Sequence, residues 1–95
     1  MPTPVLERPL REVLFRFEGR LAPLARAVEL VGSFNDWSAQ PLDLGTDGWW
    51  TLELSLRPGE HEYLFLVDGT PWNDPNDDGR MANPWGGHYS LRVVV

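Results

Sequence analysis

The chain has 95 residues, which makes it one domain by length. It is 42% apolar and 23% charged, with eight arginines, no lysine, 14 acidic residues and a net charge of −6. That balance leaves no basic footprint for nucleic acid and sets the chain against an anionic membrane, whereas a neutral partner such as a sugar polymer suits it. No cysteine is present, so disulfides, thiolate metal sites and cysteine nucleophiles are excluded. The opening Met1-Pro2-Thr3-Pro4 has no basic region and no apolar region of the signal-peptide kind, from which a cytoplasmic location is expected. Five tryptophans are the outlier, because a core this small hides only some of them.

Residues 1–11 carry three prolines without periodicity and read as a flexible lead-in to a single domain over 12–95. Val13, Phe15 and Phe17 share one face of a first short strand. Glu18 to Arg26 reads as a loop, in which Pro23 argues against a true helix. Ala27 to Gly32 is the second strand, and Ser33 to Leu44 is irregular with a turn at Asn35-Asp36. Trp50, Leu52, Leu54 and Leu56 alternate with polar residues in a half-buried strand. Arg57-Pro58-Gly59-Glu60 reads as a hairpin turn into a strand from His61 to Val67. That strand is apolar on both faces and is therefore central or covered. Asp68-Gly69 is a two-residue turn in which both positions tolerate positive φ. A short piece through Thr70-Pro71-Trp72 follows, then a loop from Asn73 to Gly87. Tyr89 to Val95 closes the chain as a strand whose face is Leu91, Val93 and Val95. The fold class is all-β, a sandwich of about seven short antiparallel strands.

Trp50 is in phase with the strand core, and Trp49 is its rim neighbour. Trp37, Trp72 and Trp85 stand in turns and loops, where a core does not place them. Flat indole rings stack on the C–H faces of pyranoses at low rotamer cost, and the alternative is that they cover the ends of the sandwich. Asp74-Pro75-Asn76-Asp77-Asp78-Gly79 matches the first half of a calcium loop, but its twelfth position is Trp85 where a bidentate Glu is required. A solvated turn is expected there, and no metal or cofactor. Glycoside hydrolysis needs two carboxylates in a cleft, and acidic loops alone do not make one. Ser33, His61 and His88 form no nucleophile motif, so an enzyme is not expected. His61 alternates with Tyr63 and Phe65 and borders the core.

Three blocks together resemble carbohydrate-binding module family 48: Val28-Glu29-Leu30-Val31-Gly32-Ser33-Phe34-Asn35-Asp36-Trp37, Gly59 through Gly69, and Trp72-Asn73-Asp74-Pro75. That family includes glycogen-binding regulatory domains and the early-set domains of isoamylases and branching enzymes, and the resemblance runs from about Glu12 to Val95. It implies an immunoglobulin-like (early-set) sandwich that binds α-glucan, a polysaccharide or oligosaccharide of the glycogen or starch kind, without catalysis. It implies that Trp37 and Trp72 stack on glucose rings and that Trp85 takes the place of an apolar residue that enters the turn of the glucan helix. Two positions depart from the family pattern: Leu64 stands where a lysine is usual, and Tyr89 where an asparagine is usual. Stacking by Tyr89 and Trp85 and polar contacts from His88 or Asn83 are the expected compensation. A rival reading makes the same patch a protein-interaction surface for a separate glycogen- or starch-active enzyme or regulatory partner. A third is self-association through the valine-rich last strand, and the sequence leaves the oligomeric state open.

Overall fold

A computed structural model describes residues 9–95; residues 1–8, and with them most of the expected lead-in, lie outside the described part. Among the described residues, nine strands form two antiparallel sheets. The smaller sheet has the order β1–β5–β4, from β1 (Arg11–Glu18), β5 (Trp49–Leu56) and β4 (Asp43–Leu44). The larger follows β3–β2–β6–β9–β8, from β3 (Gln40–Pro41), β2 (Val28–Gly32), β6 (Gly59–Val67), β9 (His88–Val94) and β8 (Gly79–Ala82), with β7 (Thr70–Trp72) also paired to β6. The chain is an all-β sandwich.

The core lies between the sheets and follows the alternation of each strand. Val13, Phe15 and Phe17 of β1 face Leu30 of β2 and Tyr63, Phe65 and Val67 of β6, all buried. Phe15 meets Tyr63 edge-on at 5.0 Å and Phe17 meets Phe65 at 5.5 Å, the arrangement that ring quadrupoles favour. β6 is central, as its apolar second face implies: Leu64 and Leu66 are half-buried on the outside of the sheet. Asp68 and Gly69 both take positive φ, 48° and 81°, in the hairpin to β7.

Three local readings are corrected. Arg57-Pro58 is not a hairpin turn, because β5 pairs with β1 and β4 whereas β6 pairs with β2, β7 and β9. The chain crosses there from one layer to the other, and Gly59 at φ 135° supplies a conformation that L side chains rarely adopt. Between β1 and β2 the chain is a connecting loop without a true helix, as expected, and holds one 3-10 turn at Gly19–Leu21. The segment from Asn73 to Gly87 is not all loop, since β8 pairs with β9 from Gly79↔Leu91 to Ala82↔His88. The inward face of β9 is Ser90, Arg92 and Val94, not Leu91, Val93 and Val95.

Buried hydrogen bonding causes this last inversion. Ser90 Oγ accepts from the Asp74 amide at 2.9 Å and donates to Asp77 Oδ2 at 2.8 Å. Asp74 is 1% exposed; its Oδ2 accepts from the Tyr63 hydroxyl at 2.7 Å and its Oδ1 from the Asn76 amide at 2.8 Å. The acidic segment is therefore a structural knot at its first residue, not a solvated turn, and a satisfied polar network holds Ser90 inside.

Burial, and after it the bond to Asp74, holds the Tyr63 phenol well above the ordinary tyrosine range. A proton kept in the folded state but lost from the unfolded chain makes stability fall with rising pH. The contribution is whole below about pH 10 and declines above it by about 1.4 kcal/mol per pH unit. Denaturant titrations from pH 8 to 11.5 are expected to show this alkaline loss in the parent and a reduced one in Tyr63→Phe.

Candidate functional site

The outer face of the larger sheet carries the candidate site. Tyr63 pairs with Ser90 on the inward side, so the next residues of the two antiparallel strands, Leu64 and Tyr89, stand side by side facing out. Val31 of β2 pairs with Leu64, and Met81 of β8 pairs with Tyr89. A row of Val31, Leu64, Tyr89 and Met81 thus crosses four strands. The two positions that depart from the resembled family pattern are neighbours in this row. An apolar pair occupies one place on the sheet, instead of two separate substitutions.

Two loops bring tryptophans onto the row. Trp37 lies 4.8 Å from the Tyr89 ring, centroid to centroid, with the planes tilted by 36°. Trp85 meets the same ring at 6.4 Å and 83°. Trp37 is 39% exposed and Trp85 80% exposed. The three rings form a corner: one shallow tilt and one near-perpendicular wall, with Tyr89 between. Such a corner offers stacking area on two planes, which suits a curved ligand better than a flat one.

Local hydrogen bonds set each loop. Asn35 Oδ1 accepts from the Gly32 amide at 2.9 Å, and its Nδ2 donates to Leu30 O at 3.2 Å and Gln40 Oε1 at 2.9 Å. The Trp37 amide then donates to Gly32 O at 3.0 Å. This wraps the turn tightly enough that Asp36 and Trp37 both take left-handed φ, 54° and 59°. A bulky residue in that region is strained, and such strain collects at functional sites. Gly32 permits the wrap, since an added Cβ would stand 2.5 Å from the Phe34 ring and 2.8 Å from Glu62 O. Asn83 does the corresponding work beneath Trp85: its Oδ1 accepts from the amides of Trp85 and Gly87, both at 3.0 Å.

The other expected site residues fall elsewhere. Trp72 stands on a strand rather than in a loop. It pairs with Phe65 and packs edge-on against Phe17 at 5.4 Å, half-buried against the core. Its aromatic partner is Phe17, whereas Trp37 contacts Tyr89. His88 is exposed, and its carbonyl accepts from Asn73 Nδ2 at 2.9 Å. It lies two residues before inward Ser90, so its side chain leaves β9 on the face opposite Tyr89. Trp49 carries Arg16 over its ring at 5.3 Å, and His61 packs against Phe34. Met81 and Asn35 are the two contributors that sequence reading misses. Met81 sits on a strand without β-branched residues to mark it, and Asn35 reads only as a turn former.

The carboxylates near the former calcium pattern are engaged by protein groups. Asp77 Oδ2 also accepts from Arg80 Nε at 2.8 Å, and Asp78 Oδ2 accepts from the Val93 amide at 2.7 Å. Among the described residues no group of three potential metal ligands converges, and no helix is long and apolar enough to cross a membrane.

Comparison with known proteins finds a family and several relatives. Residues 14–91 match the family model described as the glycogen recognition site of AMP-activated protein kinase. The chain is 40% identical over 67 residues to the beta-1 subunit of 5'-AMP-activated protein kinase from Sus scrofa, covering 70% of this chain and 51% of that protein. The Homo sapiens beta-1 subunit is 39% identical over 67 residues, 70% of this chain and 23% of its own length. FLOURY ENDOSPERM 6, a chloroplastic protein of Oryza sativa subsp. japonica, is 42% identical over 52 residues, 54% of this chain and 10% of its own. The chain therefore spans about half or less of the length of these relatives.

Proposed function

We propose, for a chain that belongs to the family of the glycogen recognition site of AMP-activated protein kinase, that it is a non-catalytic module binding α-glucan chains of the glycogen or starch kind. The observation that carries this is the aromatic corner of Trp37, Tyr89 and Trp85 on the outer sheet face. Glucose rings stack on Trp37 and Tyr89, and Trp85 closes the side of the curve. Trp72, packed on Phe17 beside inward Phe65, stands apart from this corner. Leu64 and Met81 extend the apolar floor, so stacking rather than hydrogen bonding supplies most of the affinity. Asn83, whose Oδ1 holds the Trp85 loop, offers its amide nitrogen as a polar group at the rim, whereas the His88 side chain points to the opposite face.

Calorimetry or tryptophan fluorescence with maltoheptaose and β-cyclodextrin tests the reading. The parent is expected to bind both, and Trp37→Ala to bind about 30-fold more weakly, the loss of one central aromatic anchor. No response at millimolar sugar overturns the proposal. The relatives that are kinase subunits add a second element: the module serves to bring a glucan-associated enzyme or regulatory complex to its polymer, in the cytoplasm. A pull-down that retains such a partner only when glycogen is present supports that role. Retention without glycogen assigns the patch to protein contact instead.

A further inference from the structure

Among the described residues the sandwich is open along one side. β1 is the edge of the smaller sheet, and β9 loses its β8 neighbour after Leu91, so two unpaired strand segments border a cavity of about 520 Å³. Arg11, Arg92 and Asn76 line it beside Val13 and Val94. Arg92 occupies an inward-facing position between buried Ser90 and Val94, where strand alternation calls for an apolar residue. Its guanidinium lies over the Phe15 ring at 5.1 Å.

That guanidinium is poorly satisfied. It carries five N–H donors. Nη2 reaches Leu14 O at 3.4 Å and stands 4.0 Å from Asp74 Oδ2, which already accepts the Tyr63 hydroxyl at 2.7 Å. Nε is buried and has no hydrogen-bond partner among the described residues. A second cation, Arg11, lies on the same cavity wall, with Nε and Nη1 held by main-chain oxygens of Val95 and Pro9. The other charged residues lining the cavity are Asp74, whose carboxylate is taken up by the Tyr63 hydroxyl and the Asn76 backbone amide, Glu12, whose carboxylate takes the Ser55 hydroxyl, and Arg16, which is turned onto Trp49. A sheltered cation with idle donors requires an acceptor.

We infer that this seam is an anion site for a phosphoryl group, bound by Arg92 and Arg11 with the Asn76 side chain at its rim. A phosphate offers several acceptor oxygens to donors from different directions, which a guanidinium pair matches. The cavity is far larger than one phosphate, so an organic ester fits as well as the free ion. The cavity shares no lining residue with the aromatic corner of Trp37, Tyr89 and Trp85.

Thermal unfolding of the 95-residue chain at fixed ionic strength tests this, with inorganic phosphate, a hexose monophosphate and chloride as the three additions. Phosphate at ten times its Kd is expected to raise the midpoint by about 5–10 °C, and chloride to leave it unchanged. A larger rise with the hexose monophosphate identifies an ester as the occupant; an equal rise identifies the free ion. Arg92→Met, which places an apolar side chain on an inward position, is expected to lose the response, and the exposed Arg11→Gln to weaken it at least tenfold by calorimetry. Should Arg92→Met not fold, Arg11→Gln decides alone. A midpoint that moves no more with phosphate than with chloride, or a phosphate response unchanged in Arg11→Gln, shows that Arg92 is served by water and overturns the site.

Discussion

Asp74→Ala is expected to lower the stability of this domain by about 3–5 kcal/mol, the largest effect of any single substitution considered. The carboxylate is 1% exposed and takes the Tyr63 hydroxyl and the Asn76 amide. It also stands beside the Arg92 guanidinium. Removal leaves a buried phenol without an acceptor and a partly buried cation without its counter-charge. A domain of this length has roughly 5–14 kcal/mol in all, so a loss of this size lowers the melting midpoint by more than about 12 °C. Asp74→Asn keeps an acceptor oxygen for Tyr63 and is expected to lose about half as much. Combining Asp74→Ala with Tyr63→Phe removes both partners together, so the double variant is expected to be more stable than the two single losses summed. Urea titration of the four proteins measures this, and an Asp74→Ala loss under 1 kcal/mol rejects the knot as the anchor of β9.

The same knot explains where the sequence is legible and where it is not. Trp50, Leu52, Leu54 and Leu56 alternate cleanly because β5 has one face on the core and one toward solvent. β6 reads as central because both its faces are apolar. β9 misleads because Ser90 and Arg92 face inward, where hydrogen bonds and the Phe15 ring replace hydrophobic burial. Leu91 and Val93 then take the outside. Hydropathy alone reports this as the opposite face. At Arg57-Pro58 the residues encode a sharp reversal, but turn chemistry fixes no partner, and a hairpin and a crossing between layers share the same signals. The loop tryptophans and the block from Val28 to Trp37 point to the site from sequence alone. The seating of Trp72 on Phe17 depends on a contact between distant segments that no local pattern carries.

Asn35→Ala is expected to weaken maltoheptaose binding by about 10–30-fold, without Asn35 touching the sugar. Its three hydrogen bonds hold the turn that forces Asp36 and Trp37 into left-handed backbone. Each such residue carries strain of order 1–3 kcal/mol, so the turn relaxes once the amide is gone and Trp37 leaves the Tyr89 ring. Binding must then reorder the loop, which costs about 1–2 kcal/mol per backbone residue fixed and somewhat less for the indole. Asn35→Asp keeps the acceptor for the Gly32 amide and is expected to recover part of the affinity. Near-ultraviolet circular dichroism reads the Trp37–Tyr89 contact directly, and its signal is expected to fall in Asn35→Ala even where the far-ultraviolet spectrum is unchanged. The decisive comparison is the double variant. If Asn35 acts through Trp37, adding Asn35→Ala to Trp37→Ala weakens binding no further, because the ring that it positions is already absent. A full additional loss in the double variant means that Asn35 supports the sugar by another route, and the role assigned to the strained turn fails.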